Sequence, residues 1–146
     1  PSVLNGALVA IENGAKGIVC HLREDRRHIL DNDIFEVRQH TLGKAKFDLE
    51  MANTEEMINI ALKLKPDLVT IVPEKREELT TEGGLDIIKQ YDSLVSLTNI
   101  MHNAGIEVSL FIEPEIEHIR ISREIGVDMV EIHTGNYANH FGSSIG

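Results

Sequence analysis

The sequence predicts an α/β protein with a parallel sheet, and three observations carry that prediction. First, the pattern of apolar runs and helical stripes reads as one helix, four βα units and one more strand. Such alternation, with short connections, specifies parallel strands joined by right-handed crossovers. Second, a helix end turned by glycine into an apolar strand recurs at Asn13-Gly14-Ala15, Ala104-Gly105-Ile106 and Ile125-Gly126-Val127. Third, every apolar run ends in polar or ionisable side chains: His21 and Arg23, Glu50, Glu74, Glu113, and His133 with Thr134. Five strands suit either an open doubly wound sheet or part of a (β/α)8 TIM barrel. An open sheet gathers its ligands at one crevice, commonly behind a Gly-rich first turn. No GxGxxG or P-loop occurs, and an ionisable group at each strand's C-terminal end is what a barrel mouth requires. A whole barrel takes about 250 residues. Residues 1–146 are therefore expected to form one incomplete barrel domain of a longer protein.

Each element has a local reason. Leu4, Ala7, Leu8 and Ile11 stand at helical spacing, and Gly14 stops that helix. The strand Lys16–His21 follows. Asp31, Asn32 and Asp33 offer N-cap chemistry, with Glu36 three residues after Asp33 as in a capping box. That helix ends near Gly43. Lys46–Ala52 reads as a strand, and Asn53 or Thr54 caps a helix striped by Met57, Ile60, Ala61 and Leu64. Lys63 and Lys65 suit its negative end, and Pro66 stops it. Asp67–Pro73 is a third strand, followed by a charged loop, Glu74–Gly84. The stripe Leu94, Leu97, Met101 and Ala104 predicts a helix over 85–104, so that Gly83-Gly84 stands at its start, where a phosphate or a plain helix start would fit. Glu107–Ile112 is the fourth strand, Pro114 opens a helix through Ile125, and Met129–His133 is the fifth strand.

Composition narrows the function classes. A formal net charge of −10 and a chain without Trp argue against a nucleic-acid partner, which needs a broad basic face and stacking rings. No apolar run approaches the ~18 residues that span a bilayer, and no signal-peptide pattern opens the chain. The single cysteine, Cys20, reads as a small core residue and suits a reducing, cytoplasmic setting. Seven histidines are present, yet no HxH, HExxH or CxxC spacing occurs, and no metal site is expected.

The candidate chemistry lies at the strand ends. Within Arg23–His28 four of six residues, Arg23, Arg26, Arg27 and His28, can carry positive charge. This basic knot in an acidic chain fits a local anionic ligand, and it equally fits a solvated loop stitched by Arg–Asp pairs. His21 suits proton transfer near neutral pH. Glu50, on the same strand face as Asp48, is a carboxyl inside an apolar run, so it is either a general acid/base or half of a structural ion pair. Glu131 and His133 share a face and are secondary candidates.

Several long motifs occur in a fixed order: His21-Leu-Arg-Glu-Asp-Arg-Arg-His28; Leu49-Glu50-Met51-Ala52 with Thr54-Glu55-Glu56-Met57; Val72-Pro-Glu-Lys-Arg-Glu77 running into Thr80-Thr81-Glu-Gly-Gly84; Val108-Ser-Leu-Phe-Ile112; and Glu131-Ile-His-Thr-Gly135. From residue 1 to about Ala138 the chain closely resembles the pyridoxine 5′-phosphate synthase family. The resemblance implies a (β/α)8 barrel enzyme that condenses 1-deoxy-D-xylulose 5-phosphate with 3-amino-2-oxopropyl phosphate. It releases water and phosphate and uses neither metal nor organic cofactor. Residue by residue, it implies His21 and Glu50 as acid/base groups. Arg23, His28 and Thr81 then contact the deoxyxylulose phosphate. It also implies a cytoplasmic homo-oligomer, up to an octamer. The family's first strand, with an Asn-x-Asp motif and a nearby Arg, has no counterpart here. Nor do its last strands, which bring a third catalytic His and a Gly-His pair, and residues 139–146 form an unplaced tail.

Two other functions fit the same residues. One is another phosphosugar enzyme on a barrel, although no strand ends on the lysine that a Schiff-base aldolase needs. The other is a non-catalytic subunit that binds a phosphate ligand.

Overall fold

The computed structural model describes residues 2–141. Helix α1 (Val3–Glu12) starts from Ser2, whose hydroxyl accepts the Asn5 N–H. Then follow β1 (Gly17–His21), α2 (Asp31–Thr41), β2 (Lys46–Met51), α3 (Glu55–Leu64), β3 (Leu68–Ile71), α4 (Tyr91–Asn103), β4 (Glu107–Ile112), α5 (Ile116–Ile125), β5 (Met129–Ile132) and α6 (Gly135–His140). The five strands form one parallel sheet in chain order, β1-β2-β3-β4-β5. Chain order without reversal is the arrangement of a barrel wall; a doubly wound sheet reverses at a switch point. The fold is thus a run of consecutive (β/α) units of the TIM-barrel kind.

Alternation within strands separates core from site. Phe47, Leu49 and Met51 on β2, Val69 and Ile71 on β3, and Val108, Leu110 and Ile112 on β4 are all buried with Leu22, Ile34, Val37, Met57, Leu94 and Met101 from the helices and loops. Successive side chains of a strand point to opposite faces. The other face therefore carries Asp48 and Glu50, Leu68 and Thr70, Ser109 and Phe111. Cys20 is buried with the core set, as expected for a small apolar residue, and its thiol is pushed up to about 11 by burial first and then by Asp33, Asp48 and Glu50.

Two expectations need correcting. The helix expected over 85–104 begins only at Tyr91. Leu85 is held instead as loop: its N–H donates to Phe111 O (2.9 Å), Asp86 N–H donates to Glu78 O (2.8 Å), and Leu79 and Leu85 form an antiparallel bridge. Gly83-Gly84 consequently does not open a helix. At α2 the capping carboxyl is Asp33 in the first turn, which accepts the Leu30 N–H (2.8 Å); Leu30 itself has no acceptor side chain, so only half of a capping box exists. Strand β1 ends at His21 as read from the sequence. Thr54 caps α3 as read, accepting the Met57 N–H. Of the tail, Asn139 and His140 close α6 and Phe141 follows, while 142–146 lie outside the described residues.

Candidate active site

The strand register sets the site. His21 is the last residue of β1 and pairs directly with Glu50 on β2, and Glu50 pairs with Thr70 on β3. Side chains at matching heights of neighbouring parallel strands lie side by side, so His21 and Glu50 share one end of the sheet. His21 Nδ1 stands 3.8 Å from Glu50 Oε2, and its Nε2 makes a 3.1 Å hydrogen bond with Glu74 Oε1, just beyond β3. Glu74 is itself fixed, its other oxygen accepting the Glu24 N–H (2.9 Å) and its own N–H donating to Glu78 Oε2. One ring thus has a carboxyl against each nitrogen. Glu74 orients the imidazole so that Nδ1 faces Glu50, across a gap that a reacting group can bridge or that can tighten when substrate binds.

A cavity of about 260 Å³ opens here, lined by His21, Glu50, Val72, Pro73, Leu79, Gly83, Phe111 and Glu131. The Glu50 carboxyl is shifted above its ordinary range, chiefly by burial and next by the Glu131 charge, with His21 opposing. One layer deeper, Asp48 is pushed up to about 6, again by burial first, although the Thr70 hydroxyl donates to both of its oxygens (2.8 and 3.0 Å). A carboxyl whose proton leaves nearer to neutral pH is a better general acid/base at that pH.

The basic segment is stitched by local pairs. Arg23 makes a two-pronged bond to Asp25 (3.0 and 3.1 Å), and Asp25 also takes the Arg27 side chain and N–H. The Arg23 hydrogen bond holds the Asp25 carboxyl down to about 2. Arg26, with a positive φ of 50°, reaches Asp31 (2.7 Å) and Glu56. An anion approaching Arg23 therefore competes with Asp25. His28 and Thr81 are both exposed; neither is drawn into the His21–Glu50–Glu74 group. His133 follows β5, with its Nδ1 3.6 Å from Glu113 Oε2. Among the described residues no group of three or more His, Cys, Asp or Glu is arranged to hold a metal.

Strand-end counting picked out His21, Arg23, Glu50, Glu74, Glu113, His133 and Thr134, and the face shared with His133 added Glu131. It missed the bond that makes Glu74 the partner of His21, because 53 residues separate them in the chain. It also missed Thr70 as the Asp48 partner; a hydroxyl inside an apolar run was the available signal.

Comparison with known proteins bears on these residues as a set. The family model described as "Pyridoxal phosphate biosynthesis protein PdxJ" matches residues 1–144. The pyridoxine 5′-phosphate synthase of Chlorobium phaeobacteroides (strain BS1) is 55% identical over 138 residues, which are 94% of this chain and 57% of that protein. That of Thermodesulfovibrio yellowstonii is 56% identical over 142 residues, 97% of this chain and 58% of the relative. The chain thus spans less than two thirds of the length of the curated relatives it matches. Among solved structures, the N-acetylmannosamine-6-phosphate 2-epimerase of Clostridium perfringens superposes with a TM-score of 0.62 at 18% identity, covering 92% of this chain and 54% of that one. A structure of D-psicose 3-epimerase superposes with a TM-score of 0.59 at 8% identity, covering 90% of this chain and 57% of that one. At such identities the likeness is one of fold alone. The match to the family model covers nearly the whole chain, and with it the chain belongs to the PdxJ family of pyridoxal phosphate biosynthesis proteins.

Proposed function

We propose that this chain carries one wall of the active site of a pyridoxine 5′-phosphate synthase, which condenses 1-deoxy-D-xylulose 5-phosphate with 3-amino-2-oxopropyl phosphate and releases phosphate and water. The observation that supports it most is the His21 imidazole held between Glu74 and Glu50 at the mouth of the sheet. Amine addition to a ketone, loss of water, loss of phosphate and ring closure each move protons among carbon, nitrogen and oxygen. Two groups that exchange acid and base roles serve several such steps. Glu50, raised by burial, and His21, oriented by Glu74, are those groups. In this reading Arg23, His28 and Thr81 hold the phosphorylated sugar, the roles that the resemblance of their motifs implies. Arg23 gives up Asp25 for a phosphate of higher charge, two N–H groups of the guanidinium fork meeting two phosphate oxygens. The reaction uses no metal and no organic cofactor. Its partners are the two phosphorylated substrates and, as in the family, further copies of the chain in a cytoplasmic homo-oligomer.

Turnover is the test. The full protein mixed with both substrates should release phosphate and develop pyridine absorbance. Glu50→Gln should lower the rate on the order of 10²-fold or more with little change in substrate binding. Binding without turnover in the unaltered protein would instead make it a phosphate-binding subunit, and a near-normal rate in the variant would remove Glu50 from the chemistry.

A further inference from the structure

The Thr80-Thr-Glu-Gly-Gly84 segment leaves the β3 side of the sheet and is fastened to β4. Glu113, the residue after β4, is 2% exposed. Its Oε1 accepts the Gly84 N–H (2.5 Å) and the Thr80 hydroxyl (2.8 Å), so one buried oxygen holds both ends of the segment. The turn closes on itself as well: Thr80 N–H donates to Gly84 O (2.8 Å), and Gly83 N–H donates to Thr80 Oγ1 (3.1 Å). Glu82 accepts from Asn136 on α6 (2.8 Å). Thr81 is thereby the exposed residue between two tethered ones.

The surroundings leave Glu113 little freedom. A Cβ on Gly84 would lie 2.7 Å from Glu113 Oε1 and 3.0 Å from its backbone N. A Cβ on Gly135 would lie 2.7 Å from His133 Cε1, and Gly83, with φ of +112°, faces the same ring. The His133 ring stands edge-on to Phe111 (5.3 Å between centroids) with Nδ1 toward Glu113 Oε2, and neither of these two atoms has a hydrogen-bond partner. The two glycine-bearing motifs, Thr80–Gly84 and His133-Thr134-Gly135, therefore pack around one carboxyl group.

We propose that Glu113 is a positioning residue: by gripping Thr80 and Gly84 it sets where Thr81 stands over the mouth of the sheet. The grip itself stands on the geometry above, while its effect on catalysis rests on the assignment of Thr81 to the phosphorylated sugar under Proposed function. Glu113 touches no reacting atom. Its loss should reach the reaction only through the loop.

Amide hydrogen exchange on the full chain, without substrate, reads the grip directly. Glu113→Ala should speed exchange at Gly83 and Gly84 about tenfold or more, with α2 and α3 unchanged. Glu113→Gln keeps an acceptor oxygen and should restore most of the protection. In turnover, Glu113→Ala should raise the KM for 1-deoxy-D-xylulose 5-phosphate about tenfold and lower kcat much less, with Glu113→Gln again near normal. Unchanged exchange in the alanine variant overturns the proposal, as does faster exchange with an unchanged KM. If the alanine variant unfolds, Thr80→Val decides: faster exchange confined to 80–84 supports the grip and unaltered exchange refutes it. Faster exchange in the variants, in a protein that shows no turnover at all, would leave the grip standing and dispose of the synthase assignment.

Discussion

Asp48 shows how a single side chain reports on its surroundings. It sits one layer below Glu50, shares the single Thr70 hydroxyl hydrogen between its two oxygens, and is pushed up to about 6. A carboxyl in an unfolded chain titrates near 3.9. The fold therefore binds this proton more tightly than the unfolded chain does. Its stabilising effect is complete below about pH 4 and is lost as pH rises through about 6. Asp48→Asn, which keeps an acceptor for Thr70 and cannot ionise, should raise the melting temperature by roughly 2–4 °C at pH 7–8 and leave it unchanged at pH 4. Thermal melts at the two pH values check this; an equal shift at both would exclude ionisation as the cause. The position of Asp48 beside Glu50 was legible from the two-residue period of a strand. Its Thr70 partner was not, because strand register depends on how far apart consecutive strands slide, which no local pattern encodes.

At the scale of elements, two fastenings at the N-terminal end of the sheet are built alike. Asp67, just before β3, donates its N–H to Phe47 O and accepts the Phe47 N–H on Oδ2 (2.9 Å), which also takes Arg38 from α2 (2.9 Å). Asp128, just before β5, does the same with Val108 N–H (2.8 Å) and with His102 from α4 (2.8 Å). Burial opposes ionisation at both, yet the backbone N–H together with Arg38 at Asp67, and the backbone N–H together with the His102 ring at Asp128, outweigh it and hold both carboxyls below the usual range. Asp67→Ala strips the Phe47 N–H of one acceptor and leaves Arg38 unpaired. It should cost about 1–3 kcal/mol in urea denaturation, and a loss under about 0.5 kcal/mol would show that water replaces the carboxyl. Helix α3 was legible because cap, stripe and stop residue agree there, α1 from its stripe and Gly14, and α5 from Pro114 and Gly126. The start of α4 was not. Leu85 and Ile87 extend the apolar pattern of that helix backward, but they are buried as loop residues, the Leu85 N–H donating to Phe111 O and the Ile87 N–H to Leu85 O.

For the whole molecule, the outer strands differ from the inner ones. Each of β1 and β5 pairs on one side only among the described residues. Val19 is 59% exposed and Met129 43%, whereas Thr70 and Ser109 on the same face of β3 and β4 are buried. Exposed apolar side chains along unpaired strand edges invite further pairing. A polypeptide of these 146 residues should therefore associate at roughly 10–100 μM. Light scattering after gel filtration measures this, and Val19→Lys should reduce it; a monomer across that range would show that the edges are self-protecting. The barrel-like order of strands was legible because the strand ends were, although the grouping of His21 with Glu74 required the fold.

The aspartate fastenings join β2 to β3 and β4 to β5, and leave the seam between β3 and β4 without one at that end. At the opposite rim this same seam is crossed by the Thr80–Gly84 turn, which departs from β3 and is held by the residue after β4. A load that parts β3 from β4 at the rim therefore pulls on the turn that presents Thr81, so one short segment both ties that seam and sets where an exposed threonine stands.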